Sequence, residues 1–271
     1  MSLSQADLSA YFERIGYGGM AVPTRDTLEG LVTAHTATIP FENLNPFLGL
    51  PVPLDSEALV AKLVRQRRGG YCYEQNGLFA HVLETIGFEF TSLAARVVWM
   101  QSEDAITPRT HKLLLVHLAD GPVLADVGFG GAVCTGVLDL LPDVPQVTPH
   151  ERFLLLNPNG RWRQQIEIAG EWRTTYHFDL TPQHPIDDEL GNWWTSTSPA
   201  SHFTTSLAVA RSPAGRRYAL RNFDYSVHIP GQESQKRRPE GPEEICRILE
   251  EEFGIDIPER GRFVSRLETL A

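Results

Sequence analysis

The chain has 271 residues and a formal net charge of −10, and 42% of its residues are hydrophobic while 21% are charged. This length and composition are typical of a soluble globular protein with one large domain or a few smaller ones. The negative charge argues against a general nucleic-acid binder, although a small anionic ligand can still bind at a local basic spot.

Membrane and metal partners are also not expected. The sequence has no run of about 18 apolar residues, the length that a membrane helix needs, and its N-terminus lacks the basic-then-apolar order of a signal peptide. The three cysteines are scattered and show neither a disulfide framework nor the C-x-x-C spacing of a zinc site. We therefore expect a cytoplasmic protein with no metal.

The first part of the chain, residues 1–88, has mainly helical periodicity. Ser4 and Thr27 are candidate N-caps for the first two helices. Pro40 then interrupts the pattern, since proline disfavours a helical residue before it. Another helix is predicted from about Ser56 through Val64.

Cys72 lies in the first turn of the next predicted helix, which ends at Gly87. The start of a helix favours an anion, and Arg67 and Arg68 would add to this effect if they fold nearby. The pair Gly69-Gly70 allows a sharp turn that exposes backbone N–H groups beside the sulfur. These are the parts of a thiolate nucleophile with an oxyanion hole. The alternative is a small buried hydrophobic residue, the role that we expect for the other two cysteines, Cys134 and Cys246.

From residue 89 the pattern changes to short, β-branched, alternating segments separated by Gly- and Pro-containing turns. Strands are predicted at Leu93–Met100, Lys112–Leu118, Val123–Val127, Phe153–Leu156, Trp162–Ile168 and Trp172–Phe178. Short antiparallel strands at this spacing indicate a barrel or a strongly bent sheet. The last part of the chain is predicted to contain strands at His202–Ala210 and Arg216–Tyr225 and a helix at Pro242–Phe253.

A cysteine nucleophile needs a base and a third group that orients the base. Asp126 lies in an apolar strand, where a carboxylate is costly to bury unless it is paired. If Leu118 pairs with Val123 across a loop of residues 119–122, Asp126 shares a face with both His111 and His117. That register places His117 nearer to Asp126, so either histidine is a candidate base. A His–Asp hydrogen bond that serves only packing is the alternative.

Four motifs in this order resemble the arylamine N-acetyltransferase family, and their separations match as well. They are Ile39-Pro40-Phe41-Glu42-Asn43-Leu44, Arg68-Gly69-Gly70-Tyr71-Cys72-Tyr73-Glu74-Gln75-Asn76, Thr110-His111 and Asp126-Val127-Gly128-Phe129-Gly130-Gly131. The resemblance is strong to about residue 131 and looser beyond, and it is closest to the bacterial type. It implies a catalytic triad of Cys72, His111 and Asp126, and so favours His111 over His117.

The resemblance also implies an α+β fold with a three-domain, cysteine-protease-like architecture. A helical domain at residues 1–88 would carry the nucleophile. A β-barrel domain at residues 89–200 would carry the histidine and aspartate, and an α/β lid would follow at residues 201–271.

The activity implied by the resemblance is transfer of an acetyl group from acetyl-CoA to the nitrogen of an arylamine, arylhydrazine or N-hydroxyarylamine. The route would be ping-pong, through an acetyl-cysteine intermediate. Acetyl-CoA is then the co-substrate, the partners are small molecules, and a homodimer is allowed. The resemblance places Phe41, Val97, Trp99, Thr110, Phe129, Gly130, Gly131 and Phe203 in the substrate and CoA pocket. The alternatives are a cysteine hydrolase or transglutaminase-like enzyme with the same triad, and an inactive binding protein.

Overall fold

The computed structural model describes residues 2–270. Its first part is helical, with α1 at Gln5–Ile15, α2 at Arg25–Thr38, α3 at Leu44–Leu48, α4 at Ser56–Leu59 and α5 at Cys72–Ile86. Ser4 caps α1 as predicted. The cap of α2 is Thr24, whose side chain accepts the N–H of Thr27, so the prediction of Thr27 as the cap was one turn late.

The helix predicted from Ser56 changes its winding after α4. Val60–Arg65 forms a π-helical segment, which the N–H of Gln66 closes by donating to the carbonyl of Ala61 at 2.9 Å. π-Helical turns are rare and are often found close to functional sites. This one contains Lys62, whose amine bonds the carboxylate of Glu74, two residues after Cys72.

The second part is an eight-stranded antiparallel sheet with the order β5-β4-β3-β2-β9-β8-β7-β6. Its strands are β2 at Glu89–Val97, β3 at Arg109–Leu118, β4 at Gly121–Ala125, β5 at Leu138–Asp139, β6 at Gln146–Val147, β7 at Arg152–Leu156, β8 at Trp162–Ile168 and β9 at Glu171–Phe178. The two edge strands meet, because the side chain of Gln146 bonds both the N–H and the carbonyl of Asp139. The sheet is therefore a nearly closed barrel, as predicted.

The hairpin between β3 and β4 is tighter than predicted. Leu118 pairs with Gly121, not with Val123, and Gly121 has a φ of +128°, which glycine adopts readily. The register therefore moves by two residues. Because this shift is even, Asp126 keeps its face, but continuation of the register brings it opposite Leu113, closer to His111.

The last part contains α6 at Pro185–Thr197, α7 at His202–Thr205, β10 at Ala208–Arg211, β11 at Arg217–Arg221, β12 at Asp224–His228, β13 at Gln235–Arg237, α8 at Pro242–Glu251 and α9 at Arg260–Glu268. The predicted strand His202–Ala210 was wrong in its first half, where Ser201 caps the short helix α7. The predicted strand Arg216–Tyr225 is a hairpin that turns at Asn222, whose φ is +51°.

A second sheet, with the order β1-β10-β11-β12-β13, joins β1, in the helical first part, to the last part of the chain. Its first strand, β1, is only Phe41–Glu42, and it pairs Phe41 with Ala210 of β10. The predicted α+β class is thus confirmed, while the three domain boundaries stay a prediction. Across residues 2–270, every helix is too short or too polar to span a bilayer.

Candidate active site

The three residues of the predicted triad come together between α5 and the barrel. Cys72 is the first residue of α5, and its Sγ lies 3.4 Å from the carbonyl oxygen of Thr110 on β3. His111 is next to Thr110, and its Nε2 lies 2.7 Å from Oδ2 of Asp126. Both His111 and Asp126 are only 2% exposed. The structure thus pairs Asp126 with His111, whereas His117 is exposed and bonds Thr91.

A β-bulge sets the direction of the histidine. Ala95 pairs with His111 and Arg96 pairs with Arg109, so Thr110 has no partner residue on β2. Such an extra residue bends a strand and redirects its side chains, and bulges are common beside active sites. Here the bulge turns His111 toward the interior and presents the carbonyl of Thr110 to the Cys72 sulfur.

The electrostatics of the pair favour an imidazolium beside a carboxylate. Burial by itself would lower the pKa of His111, but the charge and hydrogen bond of Asp126, together with Cys72, raise it to about 10. Burial would likewise raise the pKa of Asp126, yet His111, Asn76 and the N–H of Gly128 hold it below its ordinary value. A protonated His111 next to Cys72 is the arrangement that a thiolate nucleophile requires.

Asn76 fixes the aspartate, and sequence reasoning missed it. Its side-chain amide donates to Oδ1 of Asp126 at 2.9 Å and to the carbonyl of Lys112 at 2.7 Å, while its oxygen accepts the N–H of Val127 at 3.0 Å. A signal was present, because Asn76 is four residues after Cys72 and so shares its helix face. Gly128 was also missed: a Cβ there would lie 2.8 Å from the Cα of Cys72.

A buried set of charges supports the turn before Cys72. The carboxylate of Glu42 accepts hydrogen bonds from Arg68 at 2.9 and 2.6 Å and from the N–H of Leu44 at 2.7 Å. Lys62 bonds Glu74 at 2.5 Å and lies 3.9 Å from Glu42. Burial would raise the pKa of Glu42, but Arg68 and Lys62 hold it below its ordinary value.

This arrangement corrects two expectations about the thiolate. Arg68 is engaged by Glu42, and Arg67 is exposed, so the charge of Arg68 stabilises the turn itself. The N–H of Gly70 donates to the carbonyl of Pro40, and the N–H of Tyr71 donates to Glu74. Those two N–H groups are therefore unavailable to an oxyanion. Gly69 is needed because a Cβ there would overlap the carbonyl oxygen of Pro40.

Glu42→Gln should lower the free energy of unfolding by about 3–5 kcal/mol, because Arg68 would stay buried without a carboxylate partner. Glu29→Gln is the matched control. Glu29 is exposed and lies 3.9 Å from Arg25, so its loss should cost less than about 1 kcal/mol. Urea unfolding of both variants measures the difference, and equal losses would show that the buried pair adds no stability of its own.

Aromatic rings surround the triad. Phe129 and Tyr176 lie against His111, with ring centroids at 5.3 and 5.0 Å. On the side of Cys72, the ring of Phe203 contacts those of Phe41 and Tyr71 at 5.9 and 5.5 Å. Cys72 and His111 are accordingly only 4% and 2% exposed.

The other predicted pocket residues have different neighbours in the structure. Gly130, with a φ of +86°, packs against the ring of Phe41. Val97 pairs with Tyr176 across the β2–β9 ladder, and Trp99 packs on the barrel core. Gly131 is exposed, and Ala219 is the nearest residue that a Cβ there would meet.

Helix α6, which was not predicted, holds the residues on both sides of Cys72. The hydroxyl of Tyr71 donates to Asn192, and the absence of a Cβ at Gly191 leaves room for the hydroxyl of Tyr73. The amine of Lys112 forms a buried ion pair with Asp188. The helix therefore locks the nucleophile turn against β3.

The other cysteines have the buried, structural setting that was predicted. Cys134 belongs to the barrel core, where burial raises its pKa to about 12, and Cys246 lies in the core beneath the second sheet. Within residues 2–270 no group of three His, Cys, Asp or Glu side chains is arranged to hold a metal ion.

Comparison with known proteins gives a consistent result. A sequence model of the N-acetyltransferase family matches residues 24–262. The arylamine N-acetyltransferase of Mycolicibacterium smegmatis is 44% identical over 255 residues, which cover 93% of this chain and 92% of the relative. That of Escherichia coli strain K12 is 39% identical over 251 residues, or 92% and 89% of the two chains.

Solved structures agree with this. The structure of Mycobacterium marinum arylamine N-acetyltransferase in complex with CoA has a TM-score of 0.93 and 40% identity, and the match covers 97% of this chain and 99% of that one. The Salmonella typhimurium enzyme has a TM-score of 0.92 and 35% identity over 98% and 100% of the two chains. The chain therefore belongs to the arylamine N-acetyltransferase family.

Proposed function

We propose that this protein transfers an acetyl group from acetyl-CoA to the nitrogen of an arylamine, arylhydrazine or N-hydroxyarylamine in two successive displacements at Cys72. The observation that carries the proposal is the buried His111–Asp126 pair beside a cysteine at the start of a helix. Family membership and the CoA bound to the Mycobacterium marinum relative support the choice of donor.

In the first displacement, the Cys72 thiolate attacks the thioester carbonyl, a new S–C bond forms, and the bond to the sulfur of CoA breaks. The protonated imidazole of His111 gives its proton to the leaving thiolate. Because Gly70 and Tyr71 already use their N–H groups, the developing oxyanion would be held by the N–H groups of Cys72 and Tyr73, in the first turn of α5.

In the second displacement, the amine attacks the acetyl-cysteine, an N–C bond forms and the S–C bond breaks, so that Cys72 leaves as the thiolate while the neutral imidazole of His111 accepts the proton of the amine. Asp126 keeps the imidazole oriented and stabilises its charged form. The rings of Phe41, Phe129 and Phe203 would line the aryl and acyl pocket and keep water from the thioester. Thr110, Val97, Trp99, Gly130 and Gly131 complete the proposed surface for the acyl group and CoA.

The test is the intact mass of the protein after mixing with acetyl-CoA in the absence of amine. We expect one added acetyl group on Cys72, which is lost when aniline is added and acetanilide forms. Cys72→Ala should take up no acetyl group, whereas the matched control Cys134→Ala should still be acetylated. Absence of the adduct, together with a thiol that alkylates readily, would favour a cysteine hydrolase instead.

A further inference from the structure

Three arginines and a histidine form a row across four neighbouring strands of the barrel. Arg96 on β2 pairs with Arg109 on β3 and with His177 on β9, and His177 pairs with Arg163 on β8. Their strand neighbours Ala95, Tyr176, Phe178 and Trp162 belong to the barrel core, so the row lies on the outer face. Like charges placed directly opposite each other destabilise a sheet unless something compensates them.

Carboxylates compensate only part of this charge. Arg163 lies 3.3 Å from Glu103, and Arg109 forms an ion pair with Asp179. Arg96 donates to the carbonyl of Thr107 but forms no ion pair within residues 2–270.

A further arginine lies beside the row. Arg161 is exposed, and between residues 2 and 270 its side chain has no hydrogen bond or ion pair. Two guanidinium groups, those of Arg96 and Arg161, are therefore available to an external anion.

The row lines a cavity of about 500 Å³, the usual size of a small-molecule site. Its lining residues include Arg96, Glu103, Asp104, Arg109, Arg161, Arg163, His177 and Asp179. Two buried polar atoms of the row have no hydrogen-bond partner within residues 2–270, Nε of Arg163 and Nε2 of His177, and His177 is only 9% exposed. Buried polar atoms are normally paired, and Nε of Arg163 can only donate, so this atom points to a missing acceptor.

We propose that this cavity binds the phosphate group of a small molecule, at a site separate from the Cys72 cleft. Arg96 and Arg161 would each offer a planar fork of N–H donors to the phosphate oxygens, and Nε of Arg163 would supply a further donor. Glu103 and Asp179 hold Arg163 and Arg109 at the sides of the cavity. The site is separate because the bulge at Thr110 turns Arg109 outward and His111 inward.

Titration calorimetry with pyrophosphate and the full chain at low salt tests the proposal. We expect binding by the wild type, and about tenfold or greater weakening in both Arg161→Gln and Arg96→Gln. Arg173→Gln is the matched control: Arg173 is an exposed arginine of β9, paired with Glu171 and outside the cavity lining, so its affinity should stay at the wild-type value. Arg161 has no partner to lose, so thermal unfolding of Arg161→Gln should match the wild type.

Results of two kinds would overturn the proposal. One is equal pyrophosphate affinity in all four proteins or no binding by the wild type, which would leave the arginine row without a ligand. The other is a raised KM for acetyl-CoA in Arg161→Gln, which would assign these arginines to the coenzyme. We expect KM and kcat for acetyl transfer to be unchanged in that variant.

Discussion

His111→Ala should lower kcat/KM for arylamine acetylation by about 10³- to 10⁴-fold, whereas His117→Ala should leave it near the wild-type value. His111 is the histidine bonded to Asp126 at 2.7 Å, and its removal takes away both the proton donor and the proton acceptor of the reaction. His117 lies on the same strand but is exposed and bonds only Thr91 among residues 2–270. Steady-state release of the CoA thiol measures both variants.

The comparison of the two histidines is informative because both were candidates from strand parity. Retained activity in His111→Ala with loss in His117→Ala would contradict the triad proposed above. Circular dichroism and thermal unfolding show whether each variant is folded, since His111 is buried and also packs against Phe129 and Tyr176.

Asp126→Asn should reduce kcat by about 10³-fold or more, because the amide keeps the shape of the carboxylate but not its charge. Without that charge, burial still lowers the pKa of the imidazole and only Cys72 raises it, so the pKa should fall from about 10. The ring nitrogen resonances of His111, followed by NMR against pH, measure this change. Asp120→Asn is the control, since Asp120 is exposed and pairs with Arg25 at the hairpin between β3 and β4.

The same substitution should change the pH dependence of stability. The folded-state pKa of His111 is raised, so its stabilising contribution is complete below about pH 6.5 and is lost as the pH rises through about 10. The pKa of Asp126 is lowered, so its contribution is present above its ordinary 3.8 and is lost as the pH falls through the lowered value. The difference in unfolding free energy between wild type and Asp126→Asn should therefore be largest near about pH 5–6 and shrink toward pH 10. A constant difference over that range would contradict this assignment.

The parts of the site that depend on local sequence were predictable. The start of α5 at Cys72 follows from the apolar periodicity after it and from the glycines before it. The need of Asp126 for a partner follows from its position in an apolar strand. The choice of histidine did not follow, because it depends on a two-residue difference in the register of one hairpin, and Gly121 tightens that hairpin.

Contacts between distant segments could not be predicted. The pairing of β2 with β9 brings Tyr176 next to His111. The sequence around either residue contains no pattern that predicts this pairing. Helix α6 was missed although its sequence has apolar residues at helical spacing: Ile186, Leu190 and Trp193 are 68%, 67% and 62% exposed. The side of the helix that packs carries polar residues such as Asn192, so the apolar pattern does not reveal its contacts.

The short strand β1 has a consequence for the order in which the parts of the protein can fold during synthesis. The N–H of Glu42 donates to the carbonyl of Gly70, just before Cys72, while β1 also pairs with β10. During synthesis, the helices that carry Cys72 leave the ribosome long before residues 208–211 are made. Domains tend to fold in the order of synthesis, but here β1, which lies beside the nucleophile turn, pairs with a strand that is made late. A ribosome-bound chain that ends after the barrel would therefore leave β1, beside the Cys72 turn, as an open sheet edge.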